Sequence, residues 1–428
     1  MPVGYAKRQL NKSEFVQSGS SQDGYAPEAG ARTVKGGQKA YPIKVYQLLA
    51  DQPLSLAGLS AKERAQVVVS AVLLDDGRTE VISRVGDRLW NLWPFVTTPN
   101  TPKSNKVINW KVIPEAYLEA VQNVIYAYWK RSRPGWSAPS VGSFKMVTKG
   151  LTAFCSYAHA KGLSSLADAQ PIHIASFVSE QRRAGHVPSA LAQKFAAVEL
   201  LYHFRAEHPG TLGRHPWPES SASDMAGFTG QASNDARKVG LTPLIPSEIA
   251  QRLFPHAENI LEQADQFLNE RDADKRSARK DADVTAIRDA CFYLIGVLTG
   301  MRSSEISSIA VGAARSEDRG GFVFHWLTSI DHKTKKGAVD YLMPSMGHRI
   351  LSIMERWSEP HRSQLKQQEV EAMENKGSRL TAKELQWLAS TRTNRDLLFL
   401  GYGPDGITLV SGTHWVTIMK RFCGSRRR

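Results

Sequence analysis

The segment that most constrains this chain is an apolar helical stripe that stops abruptly. Ile287, Ala290, Cys291, Leu294, Ile295 and Leu298 recur at the i, i+3, i+4, i+7 spacing of one buried helix face. Thr299-Gly300 ends the pattern, and Arg302 emerges at the start of a second, short helix over about 303–309. A buried helix that delivers a guanidinium at its end needs partner layers, so the stretch belongs to a packed domain. The guanidinium is a planar fork able to grip two phosphate oxygens, and backbone N–H groups at the helix start would reinforce such an anion site. Glu305, one turn on, is placed to hold Arg302 in one rotamer. The same spacing also fits an ordinary surface Arg–Glu helical pair.

About thirty residues downstream, GGFVFHWLTSIDHKTKKGAVDYLMP reads as two strands around a Lys-rich turn. A lysine on a hairpin turn can swing into a site and protonate a leaving oxygen. Lys333 is the first choice, with Lys335 and Lys336 as competitors. A solvated turn would carry lysines too. Then follow a helix with Ile350, Ile353, Met354 and Trp357, a polar and partly helical stretch over 361–395, a strand or loop at DLLFLGYG, and a last helix with Trp415, Ile418 and Met419. Thr381 with Glu384, like Ser60 with Glu63, forms a capping-box pattern.

Upstream, residues 111–208 read as four packed helices. Tyr117, Ala120, Val121, Val124, Ile125 and Tyr128 mark the first; Phe144, Val147, Leu151, Phe154 and Ala158 the second; Ile174, Phe177 and Val178 a short third; Leu191, Phe195, Val198 and Tyr202 the fourth. Residues 216–240, rich in Ser, Gly and Ala, read as a linker. Residues 1–40 read as a loose basic arm, and 41–100 as partly folded. The division expected is therefore 1–110 arm-like and partly disordered, 111–215 helical and DNA-binding, 216–240 linker, and 241–428 a second, mixed domain. The fold class expected is mainly α with a small β-hairpin or sheet.

The 428 residues hold 55 Lys and Arg against 41 Asp and Glu, a formal charge of +14 that favours a polyanionic partner. Between Asn100 and Gly150 there are eight Lys/Arg and two Asp/Glu. Lys145 and Lys149, one turn apart, are placed to meet a phosphate backbone, with Arg182, Arg183 and Lys194 as further DNA-binding candidates; a solvated helix face fits each as well. Trp129 and Trp136 read as packing residues rather than base-stacking platforms. Cys155, Cys291 and Cys423 are too scattered for a disulfide framework, no CxxC or HExxH pattern occurs, and no Gly-rich loop suggests a nucleotide cofactor. No metal and no small-molecule cofactor is expected, no signal peptide or membrane span is read, and an intracellular, cytoplasmic and nucleoid-associated location fits.

The order apolar helix, TGxRxxE, short helix, hairpin with KT-x-K and return strand ending in MP resembles the catalytic domain of the tyrosine recombinase (phage integrase) family. The segment SVGSFKMVTKGLTAFCSYAHAKGLSSLADAQPIHIASFVSEQRRAGHVPSA is similar to that family's core-binding domain, and the resemblance covers about 111–420. It implies Arg302 as the first catalytic arginine, Glu305 as its supporting acid and Lys333 as general acid. It also implies double-stranded DNA as partner, assembly on paired DNA sites, and cutting and rejoining through a 3′-phosphotyrosine with no metal. The family pattern continues with HxxR and a nucleophilic tyrosine. No HxxR follows residue 302, and the later tyrosines, Tyr341 and Tyr402, read as structural. GTHWVTIMKRF resembles the helix just before HxxR, so the second half of the active site is expected to be missing, by frameshift, premature stop or truncation. Three readings stay open: a recombinase lacking its nucleophile, a non-catalytic DNA-binding protein or regulator derived from an integrase, and a degenerate, non-functional remnant.

Overall fold

The computed structural model describes residues 49–74, 77–133, 138–227, 247–274, 282–332, 336–376, 380–403 and 406–422. It is mainly helical with small antiparallel sheets. The chain runs α1 (Ala61–Gln66), β1 (Val68–Leu73), β2 (Thr79–Arg84), β3 (Leu89–Asn91) and β4 (Val107–Asn109). It continues with α2 (Glu115–Arg131), α3 (Val141–Ala160), α4 (Pro171–Arg183), α5 (Pro188–His203) and α6 (Ala222–Met225). Then come α7 (Ser247–Glu262), α8 (Ala264–Asp274), α9 (Ala282–Thr299), α10 (Ser303–Ile306), β5 (Ala314–Arg319), β6 (Phe322–Asp331) and β7 (Gly337–Met343). Last are α11 (Met346–Lys376), α12 (Ala382–Asn394), β8 (Leu400–Gly403), β9 (Gly406–Leu409) and α13 (Gly412–Phe422).

One hydrophobic cluster runs from Leu56 to Ala226. The four expected helices α2–α5 supply most of it, and Trp90, Trp110 and Ile108 from the β3–β4 region join them. α3 and α5 approach closely because Gly150 has no side chain: a Cβ there would lie 2.6 Å from that of Ala197. Ser140 caps α3 by accepting from the Ser143 N–H, and Pro188 opens α5 at a position where its missing N–H costs nothing. Within the stretch read as a linker, Trp217, Ala222 and Ala226 pack into this core, and 228–240 fall outside the described residues. Trp136 also falls outside them.

A second cluster runs from Leu253 to Ile418 around α9, with α7, α11 and α13 against it. The α9 stripe is buried as expected: Ile287, Ala290, Cys291, Leu294 and Ile295 are all inaccessible to solvent. Arg288 interrupts the apolar surroundings. Its guanidinium bonds the Asp289 carboxylate at 2.7 and 3.0 Å and the Leu400 carbonyl at 3.3 Å, and lies over the rings of Trp357 and Trp415. A buried cation is tolerable only with such partners. Both capping boxes are present, at Ser60–Glu63 and Thr381–Glu384.

The helix read around Ile350–Trp357 runs much further, through Pro360 to Lys376. Proline has no N–H, so the Arg356 carbonyl one turn back loses its helical donor. Arg271 of α8 supplies a replacement: it donates to the Arg356 carbonyl at 3.3 Å and to the Trp357 carbonyl at 2.9 Å. The sheet also has a third strand, β5, paired with β6 from Ala314↔Leu327 to Arg319↔Phe322. Its sequence, ARSEDR, lacks the apolar alternation that marks a strand.

Two stability predictions follow from this packing. Arg271→Ala leaves the Arg356 carbonyl short of a donor and should lower unfolding free energy by about 1–3 kcal/mol in denaturant titration. His361, stacked on Trp357 with an unpartnered buried Nδ1, is pushed down to about 4 by burial and by Arg271 and Arg288. Below pH 6.5 the unfolded chain takes up a proton that the folded chain refuses. Stability should therefore fall between about pH 6.5 and 4, by roughly 2–3 kcal/mol, and His361→Phe should flatten that fall.

Candidate functional site

Arg302 is placed by the way α9 ends. Gly300 turns the chain at φ +68°, the Thr299 hydroxyl donates to the Ile295 carbonyl at 2.5 Å and accepts from the Met301 N–H at 3.3 Å, and Met301 is buried. Arg302 is then the N-cap of α10 in extended conformation. Glu305 closes the turn. Its carboxylate accepts from the Arg302 backbone N–H at 2.7 Å and from the Arg302 guanidinium at 2.5 Å. The two side chains differ sharply in exposure, 51% for Arg302 and 2% for Glu305. Asp331 at the end of β6 lies 3.8 Å from the same guanidinium nitrogen. The fork is thus fixed from within and open to solvent on its outer side. The expected pairing of Arg302 with Glu305 forms. Of the N–H groups at the helix start, that of Arg302 is taken by Glu305.

The sheet brings further side chains that the sequence did not assign to the site. Ser329 of β6 donates to the Glu305 carbonyl at 2.6 Å. His332 follows Asp331, and its Nε2 lies 2.7 Å from the Ser308 hydroxyl. Burial pushes this imidazole below its ordinary range, with Glu305 and Asp331 acting in the opposite direction. Tyr341 of β7 lies opposite Leu327 and hydrogen-bonds the Glu305 carboxylate. Its phenol is pushed up to about 12, first by burial, then by the negative charge and hydrogen bond of Glu305. A phenol so placed resists ionisation and makes a poor nucleophile. These contacts join residues from α10, β6 and β7, and local spacing does not signal them.

The hairpin lysines are only partly visible. Lys333 and Lys335 lie outside the described residues; Lys336 is exposed. His414 is exposed on α13, while its neighbour Trp415 is buried against Phe292 with ring centroids 3.6 Å apart. Cys155 and Cys291 are buried, and burial pushes both thiols up. Among the described residues no group of three or more His, Cys, Asp or Glu is arranged to hold a metal.

The five other candidate cations separate into two groups. Lys145, Lys149 and Lys194 sit on the packed pair α3 and α5. Lys145 donates to the Val107 carbonyl at 3.3 Å, and Lys194 to the Gln181 side chain at 2.7 Å. Burial and the nearby Lys149 ammonium hold Lys194 below its ordinary range. Beside Val107, Lys106 is lowered in the same way by burial and by Lys103. These last two lysines were missed, because their segment carries no periodic signal. Among the described residues no carboxylate forms an ion pair with Lys106, Lys145, Lys149 or Lys194. Arg182 and Arg183 end α4 instead. Arg182 donates to the Met225 carbonyl at 2.6 and 3.2 Å, a contact that fastens α6, and Arg183 donates to the Ser179 carbonyl at 3.4 Å.

No protein-family model matches the chain, and no curated protein matches it by sequence. Solved structures do. A XerH site-specific recombinase bound to its difH substrate in a pre-cleavage complex is similar at 14% identity, with 79% of this chain and 80% of that one covered and a TM-score of 0.39. The same recombinase on a palindromic difH substrate, in a post-cleavage complex, is similar at 14% identity, covering 78% and 76%, with a TM-score of 0.38. No described helix is long and apolar enough to cross a membrane.

Proposed function

We propose that this chain binds duplex DNA as a protein of the tyrosine recombinase (phage integrase) type, with Arg302 gripping a backbone phosphate. The observation that carries the reading is the state of Arg302. Its guanidinium is anchored by the buried Glu305 carboxylate, and half of its surface is still open. A guanidinium fixed on one edge offers the other as a pre-oriented donor pair, which suits a phosphate's non-bridging oxygens. The second support is Lys145 and Lys149 on α3, Lys194 on α5 and Lys106 before β4, which lack carboxylate partners among the described residues. Such a set neutralises phosphates without reading sequence. The proposed division of labour puts the DNA track on the helical part, 111–215, and the phosphate chemistry on 241–428. The proposed assembly is of several copies on paired DNA sites.

In the finer form of this reading, a tyrosine hydroxyl attacks the phosphate and the DNA 5′-oxygen leaves, giving a 3′-phosphotyrosine. Arg302 stabilises the charge of the pentacoordinate phosphate, Glu305 holds Arg302, and Lys333 protonates the leaving oxygen. Tyr341 does not suit the role of nucleophile, because its phenol is tied to Glu305 and resists ionisation. That observation favours the second reading, a DNA-binding protein or regulator without strand cleavage of its own.

Affinity for a duplex should fall steeply between 50 and 200 mM salt in an anisotropy titration. Arg302→Ala should weaken binding about five- to twentyfold, and Lys149→Ala with Lys194→Ala should reduce the salt slope by about 1–2. Equal, salt-independent affinity for DNA and a neutral polymer overturns the proposal. A nicked suicide duplex separates the two readings: a covalent adduct supports cleavage, and binding without an adduct supports the regulator. An adduct mapped to Tyr341 overturns the role given to that residue.

A further inference from the structure

Ser308, just past α10, is 5% exposed, and its hydroxyl has one proton to give. The Ser304 carbonyl lies 2.8 Å away. A carbonyl only accepts, so that proton is committed. The same oxygen meets His332 Nε2 at 2.7 Å, and it can do so only as an acceptor. Nε2 must then carry a hydrogen, and Nδ1, without a partner among the described residues, is the nitrogen that titrates. We infer that His332 is a positioning residue for the Arg302 site: its Nε2–H, donated to Ser308, locks the end of β6 onto the helix that Arg302 caps. The inference rests on the reading of Arg302 as a phosphate grip.

The lock has a second stitch, from Ser329 to the Glu305 carbonyl. Together they fix the end of β6 against α10 and hence the 3.8 Å approach of Asp331 to the Arg302 guanidinium. Without the lock, the guanidinium keeps its bond to Glu305 but loses the wall that Asp331 provides, and its outer edge no longer has one orientation. The charged groups facing the imidazole are Glu305 of α10 and Asp331 of β6. Because Nε2 donates in both the neutral and the cationic ring, protonation on Nδ1 leaves the lock intact. An Nε2 that accepted from Ser308 would lose its bond on protonation.

Nitrogen-15 NMR of the full chain, with the His332 signals identified by their loss in His332→Gln, should show a protonated Nε2 and a bare Nδ1 at pH 8. The reverse pattern overturns the inference. In duplex-DNA titrations, His332→Gln, whose side-chain amide nitrogen takes the place of Nε2, should stay within about twofold of the parent. His332→Leu and Ser308→Ala should each weaken binding by about five- to tenfold, and the double variant by no more than either alone. Unfolding midpoints measured alongside confirm that each variant is folded. Failure of His332→Gln to rescue, or additive losses in the double variant, overturns the positioning role. If Arg302→Ala leaves affinity unchanged, the phosphate-grip reading falls and the role of His332 with it. If Arg302→Ala weakens binding and Ser308→Ala does not, only the role of His332 falls.

Discussion

A carboxylate removed from water is tolerated only where donors occupy its lone pairs, and Glu305 meets that condition in an informative way. It takes the backbone N–H and the guanidinium of Arg302, and the Tyr341 phenol from the neighbouring sheet. Its own carbonyl is bonded by Ser329. One buried acid thus ties together the end of α9, the single turn of α10 and two strands of the sheet. Arg302 stays half exposed because Glu305 does not. The guanidinium needs no further neutralisation from inside and can spend its outer donors on a ligand.

The two hydrophobic cores are built differently around this point. The first is closed by aromatic edge-to-face packing, with Phe154, Phe177 and Phe195 in succession. The second encloses charge, with Arg288 between two tryptophans. Between them the described contacts include polar ones. Asn100 donates its side chain to Ser307, at the end of α10, and its carbonyl accepts from the Gly412 N–H at the start of α13. Asn91 donates to Gln386 of α12. Ser307 is the residue directly before Ser308, so the Asn100 contact reaches the same turn that His332 touches. A net contribution of about 1 kcal/mol from each such bond is small beside either core.

What the sequence revealed was set by how locally each feature is encoded. The α9 stripe, its Thr-Gly stop, the Arg302–Glu305 spacing and both capping boxes each lie within one or a few turns, and the structure has them all. The strands β6 and β7 were readable from alternation and their turn. β5 was not, because a polar edge strand takes its conformation from its partner rather than from its own residues. The length of α11 was hidden for a similar reason: the donor that makes Pro360 tolerable comes from Arg271, far away in the chain. The rest of the Arg302 site was invisible on the same grounds. Asp331, His332, Ser308 and Tyr341 acquire their roles from strand register and from the docking of the sheet on α10, which spacing does not report.

The lysines raise a different question, since no described carboxylate neutralises Lys106, Lys145, Lys149 or Lys194. Burial and a neighbouring lysine each push Lys106 and Lys194 down, so the folded state holds like charges closer than solvation favours. A helix face whose only task was solubility would intersperse carboxylates, and α3 contains neither Asp nor Glu over its whole length. Self-repulsion of this kind is relieved by a polyanion and by little else in water. Ammonium groups on a phosphate backbone set register and orientation but discriminate weakly among sequences. In the proposed reading, the lysines therefore hold the duplex along α3 and α5, while the rigid fork at Arg302 decides which single phosphate is engaged. A flexible cation at 302 would add affinity and lose that selection. In that reading, the buried acid, the histidine and the two serine bonds all serve one arginine.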